Sequence, residues 1–237
     1  MGFFQDIIAL FKKYSLTFVE KKHEGGDVYT FIFKAEEGLT WKPGQHGILT
    51  IDHIKINKPT RPFSIASTPD EGIVMFSARV PQNPSEFKQA LFDLKQGEKL
   101  SMRGPIGSFY SEDPLRPLIF IAGGIGITPY RALLNKAVNG KVPKQKLVKL
   151  LYGSNTKEYV YKDELDTLSR QNDFVQIRYL AGNDEFAQEV SKEAREYQND
   201  AIYFLSGPPL MIKAMKKVLK DQGIKGKNIK ADPFVGY

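Results

Sequence analysis

The apolar run Leu118-Ile119-Phe120-Ile121-Ala122 ends on Gly123-Gly124-Ile125-Gly126-Ile127-Thr128-Pro129, and this join constrains the fold more than any other stretch. Five apolar residues in a row suit a strand buried on both faces. The Thr-Pro pair opens a helix, with Thr128 as N-cap and Pro129 at the first helical position. A buried strand that turns through glycines into a helix begins a βαβ unit, and the next strand of such a unit is parallel. The downstream pattern continues in kind, with helices over 129–138, 162–170, 185–197 and 209–221 alternating with strands over 146–152, 175–180, 202–205 and 228–231. This predicts an α/β doubly wound parallel-sheet domain.

Upstream the pattern is different. Short β-type runs over 15–20, 28–34, 47–51, 63–66, 73–80 and 99–103 are broken by Gly25-Gly26-Asp27, Pro43-Gly44 and Pro69–Gly72 turns. Six short strands at this spacing predict an antiparallel β-barrel. One helix over 86–92 interrupts them, with Ser85 as its N-cap. The expected organisation is an N-terminal amphipathic segment over 1–14, the barrel domain over 15–112 and the α/β domain over 113–237.

With 237 residues the chain has room for two domains, and it contains no cysteine. That removes thiolate metal sites, dithiol redox chemistry and Cys-ligated iron–sulfur clusters. The three histidines, His23, His46 and His53, have no metal-ligand spacing, so no metal site is expected. A chain of this composition that handles electrons needs an organic cofactor. The lack of cysteine also fits a reducing, cytoplasmic setting.

The formal net charge is +7. Lys213, Lys216, Lys217, Lys220, Lys225, Lys227 and Lys230 form a basic C-terminal stretch, read either as a solvated face or as a surface that steers an acidic redox partner. No aromatic residues interleave with these lysines as a nucleic-acid platform requires, so no nucleic-acid partner is expected. Near the start, Phe3, Ile7, Leu10 and Tyr14 repeat at helical spacing. Asp6 interrupts that apolar run and no basic region precedes it, which argues against a signal peptide. The run is too short for a transmembrane segment. It reads as a helix packed on the protein, or as one making weak contact with a membrane surface or partner.

The glycine turn has chemical meaning because a helix N-terminus offers unpaired N–H groups to a pyrophosphate. Its register, Gly124-x-Gly126-x-x-Pro129, lacks the third glycine of the dinucleotide fingerprint, and a glycine turn with no ligand is the competing reading. The second strand ends Tyr152-Gly153-Ser154-Asn155-Thr156-Lys157 with no acid for a ribose. Ser154, Asn155 and Lys157 suit a ribose hydroxyl or a 2′-phosphate, so NADH and NADPH both remain open. Ser206-Gly207-Pro208-Pro209 follows the fourth strand and lies at the same carboxyl-end crevice. In the first half, Arg61-Pro62-Phe63-Ser64 offers a guanidinium for a phosphate, an aromatic ring to cover a ring system and a hydroxyl for the nitrogen edge of a flavin. Ser85 and the helix start behind it provide a second anion site.

Taken in order, these runs resemble the ferredoxin–NADP⁺ reductase superfamily over nearly all of residues 15–237. Arg61-Pro62-Phe63-Ser64-Ile65-Ala66-Ser67 is similar to its Arg-x-(Tyr/Phe)-Ser flavin motif, and Gly104-Pro105-Ile106-Gly107-Ser108-Phe109 to the turn that closes its barrel. Gly123–Pro129 matches its Gly-Gly-x-Gly-x-(Thr/Ser)-Pro loop, and Asp232-Pro233-Phe234 resembles its closing Glu-x-Phe. The resemblance implies FAD, NADPH or NADH as co-substrate, and release of electrons to a separate acceptor such as an acidic ferredoxin or flavodoxin. It assigns catalytic places to Ser64, Ser206 and Asp232, and a flavin-covering role to Phe234 or Tyr237. A reductase subunit of a larger oxygenase or electron-transfer complex, or a non-catalytic protein that kept the fold, are the alternatives. Three departures stand out. Ser206 replaces a common Cys, Asp232 replaces the longer Glu, and Pro81-Gln82-Asn83-Pro84-Ser85 replaces a glycine-bearing segment. Prolines donate no N–H, which leaves Arg61, Ser85 and the amides of Glu86 and Phe87 as phosphate donors and keeps FMN open beside FAD.

Overall fold

The computed structural model describes residues 9–140 and 146–234, and the chain divides into two compact units, Met1–Tyr110 and Ser111–Tyr237. The first unit is built on β1 (Lys13–Gly25), β2 (Val28–Lys34), β3 (His46–Thr50), β4 (Thr60–Ser64), β5 (Ile73–Arg79) and β6 (Lys99–Ile106), with the short helix α1 (Glu86–Phe92) before β6. All pairings are antiparallel, in the order β4-β3-β6-β1-β2-β5. Beyond β4, the Ala66 N–H donates to the Met75 carbonyl at 2.8 Å, which joins the two outer strands and curls the sheet into a barrel. Leu16, Phe18, Phe31, Phe33, Leu49, Phe76 and Met102 fill its interior. Ser85 caps α1 as expected, its hydroxyl accepting from the Lys88 amide at 3.5 Å.

Two departures from the sequence pattern have physical causes. The fourth strand begins at Thr60 rather than 63, with Pro62 inside it. It is an outer strand that pairs on one side with β3 through Ile48, where a missing N–H is tolerated. The first strand runs past Glu20 through the charged Lys21, Lys22, His23 and Glu24 to Gly25, because hairpin pairing with β2 continues to Val28. Tyr14, assigned above to the N-terminal helix, belongs to β1 and pairs with Met102. Only residues 9–11 of that segment are described as helical, and Phe3 and Ile7 lie outside the described residues.

The second unit alternates as the sequence predicts. Its strands are β7 (Leu118–Gly123), β8 (Val148–Gly153), β9 (Val175–Leu180), β10 (Ile202–Gly207) and β11 (Ile229–Pro233), and its helices are α2 (Thr128–Asn139), α3 (Lys162–Gln171), α4 (Asn183–Tyr197) and α5 (Pro209–Asp221). The sheet is fully parallel in the order β11-β10-β7-β8-β9. Every residue of β7 and β10 is buried, which is why these strands read as continuous apolar runs. On one face Ile119, Ile121, Tyr203 and Leu205 pack with Val190, Ala194, Ile212 and Met215 of α4 and α5. On the other, Phe120 stacks on Tyr130 of α2 at 4.8 Å and meets Phe204 edge-on at 5.4 Å. Arg116 fastens the entry to β7 by donating to the carbonyls of Asn199, Asp200 and Ala201.

Candidate functional site

Strand order reverses at β7, since β8 lies on one side and β10 on the other, and open α/β sheets bind ligands outside the carboxyl ends at such a switch point. Register brings the expected residues to that edge. Gly123 pairs with Gly153, while Ser206 pairs with Ala122 on one side and Asp232 on the other. A groove of about 650 Å³ lined by Arg116, Lys146 and Asp200 lies instead at the entry to β7, the end of the sheet where such ligands do not bind.

The glycine turn is a 3-10 turn over Gly124–Ile127 leading into α2. Gly124 adopts φ +51°, and a Cβ built there meets nothing within 4 Å, so its backbone borders open space. Gly126 serves a different need. A Cβ there would stand 2.2 Å from the Ser206 carbonyl oxygen and 2.6 Å from the Gly207 Cα, so only hydrogen lets the turn lie directly on the end of β10. Thr128 corrects the sequence reading. It is the first residue of α2 rather than its N-cap, and its hydroxyl donates to the Ile125 carbonyl at 2.6 Å. With 2% exposure, that side chain is buried within the turn. Pro129 is buried beside it.

Ser206 is fully buried, and among the described residues its Oγ is the buried side-chain polar atom with no hydrogen-bond partner. Such an atom costs about 1–3 kcal/mol unless something satisfies it. Beyond it, the Phe234 N–H donates to the Gly207 carbonyl at 3.0 Å and ties the segment after Asp232 to the end of β10. Tyr237 lies outside the described residues. Burial raises the Tyr130 phenol well above its usual pKa, and the charge of Asp232 pushes the same way; Tyr130 therefore stays a neutral donor, to the Ile121 carbonyl at 3.1 Å. Past Gly153, the Ser154 amide donates to the Leu180 carbonyl at 3.0 Å, and Asn155 and Lys157 are exposed, Lys157 with φ +59°. Pro208 is exposed at the start of α5.

In the first unit, strand alternation puts Arg61 and Phe63 on one face of β4 and Pro62 and Ser64 on the other. Arg61 Nη1 donates to the carbonyls of Lys58 and Thr60 at 3.1 and 2.8 Å, and its guanidinium lies 5.7 Å from the Phe87 ring centre. Phe63 is half-buried, stacked on Phe87 at 5.8 Å and edge-on to Phe76 at 6.0 Å. Ser64 is 8% exposed. Near Ser85, the Glu86 carboxylate accepts from the Asn57 amide at 2.8 Å.

Residues missed in the sequence include Arg131 and Glu164, an ion pair at 2.9 Å joining α2 to α3. A signal existed. Arg131 falls within the run Thr128 to Leu134, where every neighbour is buried, and a charge in such a run needs a partner. Among the described residues no group of acidic or histidine side chains could hold a metal ion, and no helix is long and apolar enough to cross a membrane.

Comparison with known proteins agrees with this geometry. Residues 15–110 match the family of oxidoreductase FAD-binding domains, and residues 120–217 the family of oxidoreductase NAD-binding domains. The chain is 32% identical over 200 residues to a subunit of the Na(+)-translocating NADH-quinone reductase of Histophilus somni, covering 74% of this chain and 49% of that protein. It spans about half the length of the curated relatives it matches. Among solved structures, ferredoxin–NADP⁺ reductase from Plasmodium falciparum superposes with a TM-score of 0.80 at 18% identity, covering 96% of this chain and 99% of that one. The cytochrome b5 reductase domain of Ulva prolifera nitrate reductase gives 0.77 at 21% identity, covering 94% and 98%. With residues 15–110 and 120–217 matched in turn, the chain belongs to the oxidoreductases that pair an FAD-binding domain with an NAD-binding domain, on a fold shared with ferredoxin–NADP⁺ reductase.

Proposed function

We propose that this chain takes electrons from NADH or NADPH and passes them through FAD to a separate acceptor protein. The observation that carries the reading is the buried, unpartnered Ser206 hydroxyl beside the glycine turn, a polar group that a carboxamide-bearing nucleotide would satisfy. When bound, the two cofactors supply hydride transfer and its division into single electrons. The residues of this chain hold and orient them. Arg61, Ser85 and the amides of Glu86 and Phe87 take the flavin phosphates, with Pro62 and Phe63 lining the strand between them and the ring. Ser64 donates to the flavin at N5. Gly123, Gly124 and Gly126 bring the α2 N-terminus to the pyrophosphate, and Gly153, Ser154, Asn155 and Lys157 take the adenosine ribose. Ser206, Gly207, Pro208 and Asp232 frame the nicotinamide.

For the acceptor, the exposed lysines Lys213, Lys217, Lys220, Lys225 and Lys227 favour an acidic electron-transfer protein, whose approach they would accelerate. A second reading is favoured by the curated relatives, which are named as parts of an NADH-quinone reductase: the chain would then work as the reductase part of a larger electron-transfer complex. Both readings place it on the cytoplasmic side, where nicotinamide nucleotides are. The chain's own chemistry is tested by Ser64→Ala. Rapid-mixing measurement is expected to show flavin reduction slowed by about tenfold, as befits one lost transition-state hydrogen bond, with FAD affinity changed far less. An equal loss in both quantities would contradict the role given to Ser64.

A further inference from the structure

Arg131 stands one turn into α2 and is only 8% exposed. Its Nε donates to Glu164 Oε2 at 2.9 Å, and Asn135 Nδ2 donates to Oε1 of the same carboxylate at 3.0 Å. The guanidinium also lies 5.7 Å from the centre of the Tyr161 ring, and Tyr161 enters α3 in the left-handed conformation, φ +63°. The cluster thus joins the first turns of two helices. Immediately before α2 comes the glycine turn; immediately before α3 comes the loop carrying Ser154, Asn155 and Lys157. Other bonds tie that loop to its own strands. The Tyr159 hydroxyl donates to the Leu180 carbonyl at 3.1 Å, and the Val160 amide donates to the Tyr152 hydroxyl at 3.1 Å. The Arg131–Glu164 pair ties it to the helix that opens the glycine turn.

We propose that Arg131 and Glu164 are positioning residues for the nucleotide, setting the distance between the groups that take the pyrophosphate and those that take the adenosine ribose. The inference rests on the nucleotide reading given above. Arg131 is buried while the Glu164 side chain is 35% exposed; such a half-buried pair adds little net stability over apolar residues of similar size, whereas loss of Glu164 strands the Arg131 charge. Fixing one register between two helices is what such a pair does well. A displacement of the ribose loop relative to the turn would be felt by a ligand that must reach both.

The test is calorimetric titration of the FAD-loaded protein with ADP-ribose, which contains the pyrophosphate and adenosine but no nicotinamide. Glu164→Gln keeps the shape of the side chain and removes its charge. The double variant Arg131→Met with Glu164→Met removes both charges together and guards against misfolding from a stranded one. Both variants are expected to bind ADP-ribose roughly tenfold more weakly than the original protein, with the flavin spectrum and the melting temperature of the double variant unchanged. Arg131→Lys, which keeps the charge, is expected to restore part of the affinity. If the original protein binds ADP-ribose and a folded double variant binds it equally well, the pair is purely structural and the positioning role is overturned while the nucleotide reading stands. If the original protein does not bind ADP-ribose at all, both fall together.

Discussion

Gly126→Ala is expected to unfold the second unit selectively, at a cost of about 4 kcal/mol or more, the range reserved for severe overpacking. The added methyl would sit 2.2 Å from the Ser206 carbonyl oxygen, 2.5 Å from its carbon and 2.6 Å from the Gly207 Cα. All three are backbone atoms of β10, a strand hydrogen-bonded on both sides to β7 and β11, so none can rotate out of the way. The neighbouring glycine is the control. At Gly124 a methyl enters open space and meets only the penalty of φ +51°, about 1–2 kcal/mol. The chain carries two independent probes of the outcome. The single tryptophan is Trp41, in the first unit, whereas among the described residues the four long helices α2 to α5 lie in the second. In urea, the helical circular-dichroism signal of Gly126→Ala should be lost well before Trp41 fluorescence changes. Coincident transitions at the original midpoint would show that the turn does not lie on β10.

Ser206→Ala is expected to move stability and chemistry in opposite directions. Its hydroxyl is fully buried without a partner, so removing it should stabilise the second unit by about 1 kcal/mol, at the low end of the penalty for an unsatisfied group. The same change removes the donor assigned to the nicotinamide, and reduction of the flavin by NADH or NADPH should slow by about tenfold. Ser206→Cys restores the thiol common in the superfamily at this place. A buried thiol behaves as a small apolar group with a weak S–H donor, so this variant should keep the stability gain and recover part of the rate. A less stable Ser206→Ala protein would mean that the hydroxyl is satisfied in solution, and would remove the observation on which the nicotinamide site rests.

What is legible in the sequence depends on how local each signal is. The strand–glycine–helix join and the continuous apolar runs of β7 and β10 are written in consecutive residues, and so the parallel sheet follows from them. Pro62 hides the first half of β4, because a proline reads as a break unless the strand is known to be an outer one. Thr128 follows the capping preference but is overridden, since a 3-10 turn precedes α2 and its hydroxyl finds the Ile125 carbonyl first. The least legible features are those that join distant segments. In sequence Gly126 is one letter of the glycine turn, and only the fold adds that its missing side chain makes room for β10. The Arg131–Glu164 pair spans two helices, and no spacing rule within one element could find it. At the flavin end, strand alternation separates Arg61 from Ser64, which a reading of four consecutive letters cannot convey.

The central claim, that this chain binds FAD and that a nicotinamide nucleotide reduces it, is tested most directly by the visible absorption spectrum of the purified protein under anaerobic titration with NADH and with NADPH. The account predicts a flavin spectrum that bleaches on addition of at least one of the two nucleotides. A protein that remains colourless after incubation with FAD, or a bound flavin that neither nucleotide bleaches, would contradict it.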